Sequence, residues 1–298
     1  PLERCKRKKD RLRSPCRVRR PPLDSLRDRG HRPAAMFVPR ERLKLQGFNN
    51  LTKVVSFNLY DFFVARTDEE RHAYVREIDE KFSARRITEI LREIARIIDA
   101  EVLSVSAQDY EPQGASSLVL MSDLGHQNGM TPEVSGHTSG HTSVGAHLTK
   151  SHLCAHTYPD WYDPKGICSF RVDIDIATCG TIVPLRALNF MFESFENDVV
   201  IIDYVVRGFT RDAEGRRIYK DHTLRSIQDF VAPKILADYH CEDLVLQNEN
   251  IWQTKMMRTR LDPATYFPPD VDPSAPDSVA RLEDVRREMV GIFYGWPG

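Results

Sequence analysis

Three side chains of types that perform nucleophilic and proton-transfer chemistry lie within residues 151–179: Ser151, His156 and Cys179. A hydroxyl can attack a carbonyl, and an imidazole titrates near neutrality, so it can accept the proton. Cys179 follows a predicted strand in Thr-Cys-Gly, where a turn could hold its thiol at the mouth of a pocket. Along an extended strand, however, five residues put His156 on the opposite face, roughly 17 Å from Ser151. A bend or an adjacent strand would have to bring the two together.

Each of these residues also has a structural interpretation. A serine or a lone histidine on a strand is commonly only hydrogen-bonded, and a cysteine is commonly a small buried hydrophobe. Cys154 and Cys168, which lie within predicted strands, fit the second description. A Gly/His-rich segment, residues 123–147, is predicted to be a mobile loop. Its four histidines have no accompanying Cys or carboxylate cluster, so no metal site is predicted.

Apolar periodicity predicts the elements that must position these side chains. Thr67 is a candidate cap for the first of two helices, and the second carries an apolar stripe spaced by three and four residues from Ile87 to Ile98. Strands are predicted at residues 54–65, 101–107, 117–122, 152–157, 169–176 and 198–206, and further helices at 184–195, 224–239 and 278–293. This pattern predicts an α+β fold, a mostly antiparallel sheet with helices packed on one face.

Charge is distributed unevenly in this chain of 298 residues. Residues 1–35 carry 13 Lys and Arg against 4 Asp and Glu, whereas the rest carries 29 against 39. We expect residues 1–35 to be a disordered basic extension upstream of a natural start at Met36, and not a nucleic-acid-binding arm. No apolar run is long enough to span a bilayer, and the six cysteines form no CxxC pair. We therefore expect a cytoplasmic protein with reduced thiols that binds no membrane.

The segment Lys150-Ser-His-Leu-Cys-Ala-His-Thr-Tyr-Pro159 resembles the cleavage and active-site segment of the bacterial S-adenosylmethionine decarboxylases. Four other stretches agree with that family in the same order: Gly47-Phe-Asn-Asn-Leu-Thr-Lys53, Gln108-Asp-Tyr-Glu-Pro-Gln-Gly-Ala-Ser116, Ala177-Thr-Cys-Gly180 and Arg207-Gly-Phe-Thr-Arg211. The resemblance covers the chain from about Leu43 to its carboxyl end. Lys150, where many relatives have Glu, and the region after Arg211 are similar to the longer bacterial subgroup. The fold implied is the αβ-sandwich of this family.

The resemblance implies a decarboxylase domain, residues 36–298, that cleaves itself between Lys150 and Ser151 into a beta chain, 36–150, and an alpha chain, 151–298. Ser151 would become a pyruvoyl group that forms a Schiff base with the substrate amine and takes up electrons as carbon dioxide leaves. The substrate would be S-adenosyl-L-methionine. Its product, S-adenosyl 3-(methylthio)propylamine, is the aminopropyl donor for spermidine synthesis.

The resemblance also assigns roles to individual residues. His156 matches the proton acceptor in self-processing, Cys179 the proton donor in catalysis, and Ser116 a residue that supports processing. Tyr110 and Tyr158 match positions where relatives hold aromatic residues near the adenosine, although either could be a core or sheet-surface tyrosine. A homo-oligomer of paired alpha and beta chains is expected. Magnesium is an expected activator in the longer subgroup, although the sequence shows no binding constellation for it.

Two alternatives remain open from the sequence. The first is a pyruvoyl-dependent arginine or ornithine decarboxylase on the same scaffold, which a carboxylate facing a basic substrate side chain would favour. The second is an uncleaved paralogue that activates a true decarboxylase, against which the intact Lys150-Ser151, His156 and Cys179 argue.

Overall fold

The computed structural model describes residues 51–123, 151–179, 182–212 and 214–295. Every described residue belongs to one compact unit, Gly47–Gly298. The basic extension, the loop histidines and Lys150 lie outside the described residues. No helix in the described ranges is long and apolar enough to cross a membrane.

One eight-stranded sheet organises the described residues, and every neighbouring pair of its strands is antiparallel. The strand order is β2-β3-β4-β5-β1-β6-β10-β9. The strands are β1 (Thr52–Val64), β2 (Ala100–Asp109), β3 (Ala115–Asp123), β4 (Ser151–Asp160), β5 (Ile167–Cys179), β6 (Val199–Arg207), β9 (Tyr239–Leu246) and β10 (Ile251–Arg258), and a separate two-stranded ribbon is formed by β7 (Thr210–Arg211) and β8 (Arg217–Ile218). The predicted α+β class is confirmed.

The helices are α1 (Asp68–Lys81), α2 (Ala84–Ile97), α3 (Leu188–Ser194), α4 (Pro233–Leu236), α5 (Pro263–Tyr266) and α6 (Pro276–Tyr294), with short 3₁₀ turns at Pro184–Ala187, Ile227–Phe230 and Gln247–Glu249. Thr67 caps α1 as predicted, because its side chain accepts a hydrogen bond from the Glu70 amide. The predicted stripe of α2 is buried at Ile87, Leu91 and Ile94. Each such side chain contributes about 1.5–3 kcal/mol when fully buried.

The two faces of the sheet differ in what covers them. We call the face that α1, α2 and α3 cover the inner face; its residues include Val55, Phe57 and Ile174. The opposite, outer face is covered at one end by α6, whose Val285 and Met289 pack with residues such as Phe62. Helices therefore lie on both faces, whereas the sequence predicted helices on one face only. Toward the β2 edge, outer-face residues such as His156 and Tyr158 are exposed.

The helix predicted at residues 224–239 is wrong. Leu224, Ile227 and Val231 have helical spacing and are buried, but they lie in irregular chain and a 3₁₀ turn. Pro233 has no amide hydrogen and clashes with a preceding helical turn, so Ala232 is extended and only the short α4 follows. The next residues form edge strand β9, and β10 pairs with it; the sequence analysis had predicted neither strand.

Candidate active site

Ser151 and Cys179 meet at one end of the sheet. Ser151 is the first residue of β4 and is 4% exposed, and Cys179 is the last residue of β5. The backbone amide of Cys179 donates to Ser151 Oγ at 3.0 Å. The hydroxyl therefore has a fixed donor, and that donor comes from the backbone and not from the thiol.

Strand pairing explains why these two residues lie together. His152 pairs with Ala177 across β4 and β5, so the next position along each strand places Ser151 beside Thr178. Thr178 is fully buried and pairs in turn with Lys53 of β1. Ser151, Thr178 and Lys53 thus form a row of polar residues across three adjacent strands. Because strand residues alternate between faces, this row lies on the inner face, while the partly buried Cys179 side chain belongs to the outer-face series.

Lys53 brings a positive charge into the buried end of this row. Its side chain is 0% exposed, and its Nζ lies 2.6 Å from Asp221 Oδ2 and 3.1 Å from the Ile182 carbonyl oxygen. Burial alone would raise the pKa of Asp221, but hydrogen bonds from Lys53 and His222 outweigh it and hold that pKa below its usual value. The carboxylate therefore remains charged opposite the ammonium group.

A second group of predicted site residues gathers on the outer face of β3 and β4. Ser116 and His156 pair directly across these strands, and the hydroxyls of Tyr110 and Ser116 are 2.7 Å apart. The rings of His156 and Tyr158 lie 6.3 Å apart along β4. His156 is exposed and Tyr110 is 50% exposed, so this cluster faces open space in the single chain.

The tight turn between β2 and β3 places Tyr110 over Ser116. Gly114 has φ +94, and a Cβ there would lie 2.8 Å from the Thr157 carbonyl oxygen, so a side chain would displace the turn from β4. The turn is held by the Gly114 amide, which donates to Asp79 Oδ1 at 2.9 Å, and by the Tyr110 amide, which donates to the Gly114 carbonyl. The turn between residues 110 and 116 is therefore bound to α1 through Asp79 and packed closely against β4.

Arg171 and Asp173 of β5 border this cluster. Arg171 makes a two-point ion pair with Asp173, at 2.6 and 2.8 Å, and its guanidinium lies 5.3 Å from the centre of the Tyr158 ring. One face of Tyr158 is thus already in contact with a cation. Asp173 is the strand partner of His156, but its carboxylate forms its ion pair with Arg171. This ion pair was not predicted from the sequence.

Comparison with known proteins supports the motif resemblance. The family model for S-adenosylmethionine decarboxylase matches residues 75–208. A protein named S-adenosylmethionine decarboxylase proenzyme from Stenotrophomonas maltophilia (strain R551-3) is 50% identical over 232 residues, 78% of this chain and 87% of its own. The protein of the same name from Pseudoalteromonas translucida (strain TAC 125) is 47% identical over 262 residues, 86% and 96% of the two chains. The chain belongs to the S-adenosylmethionine decarboxylase family.

A solved adenosylmethionine decarboxylase from Aquifex aeolicus covers 59% of this chain and 98% of its own at 16% identity. The TM-score between the two structures is 0.28.

In this family member, the site residues named from the sequence fall into two places. Ser151 lies beside the Cys179 backbone on the inner face, at the start of β4. The other four, Ser116, Tyr110, His156 and Tyr158, lie together on the outer face. The chain does not bring His156 to Ser151, because β4 runs without a bend and the two side chains are on opposite faces. Sequence reasoning missed Lys53 as a buried residue, since a lysine on a strand is ordinarily solvated. Only its place in the Leu-Thr-Lys53 motif pointed to it.

The remaining cysteines of the described part are unpaired. Cys168 is fully buried, as predicted, and burial raises the pKa of its thiol to about 12. Cys154 is partly exposed, and its Sγ lies 4.0 Å from Asp175 Oδ2. Within residues 51–123, 151–179, 182–212 and 214–295, no three His, Cys, Asp or Glu side chains group as metal ligands.

Proposed function

We propose that this chain is a proenzyme that cuts itself between Lys150 and Ser151 and then decarboxylates S-adenosyl-L-methionine, giving the aminopropyl donor for spermidine synthesis. The observation that carries this proposal is the contact between the Cys179 amide and Ser151 Oγ. It links the residue proposed to become the reactive group with the residue proposed to protonate substrate, through strand pairing alone. Family membership supports the substrate.

In the proposed self-cleavage, Ser151 is the nucleophile. Its hydroxyl attacks the Lys150 carbonyl carbon, the peptide C–N bond breaks, and an ester joins the two residues. Elimination releases the Lys150 carboxylate and leaves a dehydroalanine, which takes up one water and loses one ammonia to give a pyruvoyl group. The hydrogen bond from the Cys179 amide orients Oγ so that one lone pair is occupied and the other can face the carbonyl carbon.

Ser151 fits this origin, because it is buried at the very start of a strand, has a donor at Oγ and directly follows Lys150. When formed, the pyruvoyl group supplies a ketone that takes up the substrate amine and the electron pair left when carbon dioxide departs. The chain's own residues then hold the substrate and deliver a proton. We assign that proton to the Cys179 thiol, which is partly buried on the outer face at the same end of the sheet as Ser151.

The outer-face cluster forms the second half of the proposal. Ser116 supports the ester step, His156 accepts the proton in processing, and Tyr110 and Tyr158 contact the adenosine. Within a single copy, His156 and Ser151 lie on opposite faces of the sheet. We therefore infer a homo-oligomer of paired alpha and beta chains in which one copy supplies His156 to Ser151 of another. The exposure of His156 and Tyr110 leaves that cluster open to a second copy.

Mixing two inactive variants tests this sharing. Ser151→Ala lacks the nucleophile and His156→Ala lacks the proton acceptor, so neither is expected to mature efficiently alone. When they are co-expressed with different tags, the His156→Ala chain should be cut, because a Ser151→Ala neighbour supplies His156. Intact masses of the separated chains measure this. A double variant, Ser151→Ala with His156→Ala, replaces the helper as a control and should give no rescue.

Two results would contradict the shared site. Absence of rescue in mixed oligomers that demonstrably co-purify would mean that His156 does not reach a neighbour's Ser151. Efficient cleavage of His156→Ala alone would leave His156 a structural role only.

The proposed function itself is tested by the masses of the denatured, matured protein. Two chains are expected, one ending at Lys150 and one starting at the former Ser151. The second should weigh one ammonia less than a chain that starts with serine, because the pyruvoyl group has no amine. Purified protein should also release carbon dioxide from S-adenosylmethionine and not from arginine or ornithine. A single full-length mass in matured protein would refute self-cleavage.

The free thiols among the described cysteines suit a reducing compartment, and we place the enzyme in the cytoplasm. Magnesium as an activator stays a prediction of the resemblance. Turnover measured with added magnesium and after EDTA treatment tests it.

A further inference from the structure

Lys53 is a buried charge that the steps above do not use. It is 0% exposed, and its ammonium binds Asp221 and the Ile182 carbonyl oxygen. Removing a charge from water is costly unless it is paired and hydrogen-bonded, and an apolar residue could fill the same space without that cost. A lysine at this position is therefore explained better by the groups that it contacts than by its contribution to stability.

Lys53 contacts the chain on both sides of Cys179. On one side, Thr178 Oγ1 donates to the Lys53 carbonyl oxygen at 3.3 Å, and the two residues pair in register. On the other side, Lys53 Nζ donates to the Ile182 carbonyl oxygen at 3.1 Å. Cys179 lies between these two contacts and donates its amide to Ser151 Oγ. The position of Lys53 therefore sets the position of the donor that orients the nucleophile.

We propose that Lys53 is a positioning residue that holds Cys179 in place for both self-cleavage and substrate protonation. This inference rests on the proposed function, since it assumes the roles given to Ser151 and Cys179. Lys53 does not touch the reacting atoms. Its backbone carbonyl, which any residue would supply, contacts Thr178, and its ammonium group, which only the lysine supplies, holds the chain at position 182.

The partner of Lys53 is itself anchored to the sheet. Asp221 Oδ1 lies 2.7 Å from His222 Nδ1, and His222 Nε2 lies 3.0 Å from the Tyr204 hydroxyl. Tyr204 is fully buried on β6, where its ring centre lies 5.7 Å from that of Trp252. Tyr204 is therefore separated from Ser151 by more intervening contacts than Asp221 is, and Asp221 by more than Lys53. The effect of a substitution should therefore decline from Lys53 to Asp221 to Tyr204.

Three variants test this order: Lys53→Met, Asp221→Asn and Tyr204→Phe. The first readout is the first-order rate constant of precursor cleavage, measured by intact mass on folded precursor at a temperature well below the unfolding transition of every variant. We expect Lys53→Met to slow cleavage by about 10- to 100-fold, because small misplacements of reacting groups cost up to about 10²-fold. Asp221→Asn should slow it less, and Tyr204→Phe should have a rate near that of the wild type.

The second readout is the fraction of matured chains whose pyruvoyl group becomes alanine during turnover. Protonation at the wrong carbon, followed by hydrolysis with one water, leaves an alanine cap on the chain and an aldehyde on the former substrate amine carbon. Because this fraction is a ratio within active sites, loss of folded enzyme does not change it. It should rise in Lys53→Met relative to the wild type.

Lys255→Met is the matched control. Lys255 is also a strand lysine that donates to a carbonyl, that of Phe293 at 2.9 Å, but it lies on β10 toward the other edge of the sheet from β4. This variant should keep the wild-type cleavage rate and alanine fraction even if its thermal stability falls. If the cleavage rate falls in both lysine variants in proportion to their loss of thermal stability, the positioning role is overturned.

Folded Lys53→Met with wild-type values of both readouts overturns the inference; if that variant does not fold, wild-type values in Asp221→Asn do so. Wild-type protein that is not cut at Ser151, or that releases no carbon dioxide from S-adenosylmethionine, refutes the proposed function instead, and Cys179→Ala with full turnover refutes the role given to Cys179. The two failures are therefore distinguishable.

Discussion

Ser151→Ala is expected to give a folded chain that is never cut between residues 150 and 151. The change removes the attacking oxygen and leaves no other side chain at the start of β4 that could replace it. Its structural cost is confined to the Cys179 amide, which loses the acceptor at 3.0 Å. An unsatisfied buried donor costs about 1–3 kcal/mol, which a domain of this size should tolerate. Intact mass measures cleavage, and thermal unfolding measures the structural cost.

Ser117→Ala is the control for this variant. Ser117 is likewise a buried strand serine, 2% exposed, and its hydroxyl is 2.7 Å from that of Thr88. It should be destabilised to a similar extent and still be cut. Normal cleavage of Ser151→Ala would place the nucleophile elsewhere in the chain.

Cys179→Ala is expected to separate maturation from turnover. The contact with Ser151 Oγ comes from the backbone amide, and alanine retains that amide, so the precursor should still be cleaved to a substantial extent. Turnover on S-adenosylmethionine should fall by about 10²- to 10⁴-fold, the usual contribution of a positioned general acid. Protonation at the wrong carbon should also convert the pyruvoyl cap to alanine. Carbon dioxide release and the mass of the carboxyl-terminal chain before and after turnover measure the two effects.

Cys241→Ala provides the comparison, since Cys241 is another free, partly buried strand cysteine, on edge strand β9. Burial raises the pKa of its thiol to about 11, and nothing places it near Ser151. Its variant should turn over like the wild type. Near wild-type turnover of Cys179→Ala, with no alanine formed, would make Cys179 a packing residue and assign the proton to another acid.

Local patterns were sufficient for much of the fold. The cap at Thr67 and the stripe of α2 depend on residues within one or two turns of each other, and both appear as predicted. The region 224–246 shows where that reasoning failed. Its buried Leu224, Ile227 and Val231 have helical spacing, but Pro233 and the pairing of β9 with β10 decide the backbone instead. Strand pairing is a long-range interaction that a local pattern does not contain.

The residues proposed for the chemistry came from sequence motifs alone, because the motifs around Ser151, His156 and Cys179 are recognisable without coordinates. The five-residue spacing on an extended strand also determined that Ser151 and His156 lie on opposite faces, and β4 retains that geometry. Only the tertiary structure decided which groups meet. The amide of Cys179 reaches Ser151 because antiparallel registers align the ends of β4 and β5. Lys53 is buried against Asp221, 168 positions away, because a segment outside these strands packs against the end of β1. Such contacts depend on strand order and register, which are set by packing the whole sheet against its helices.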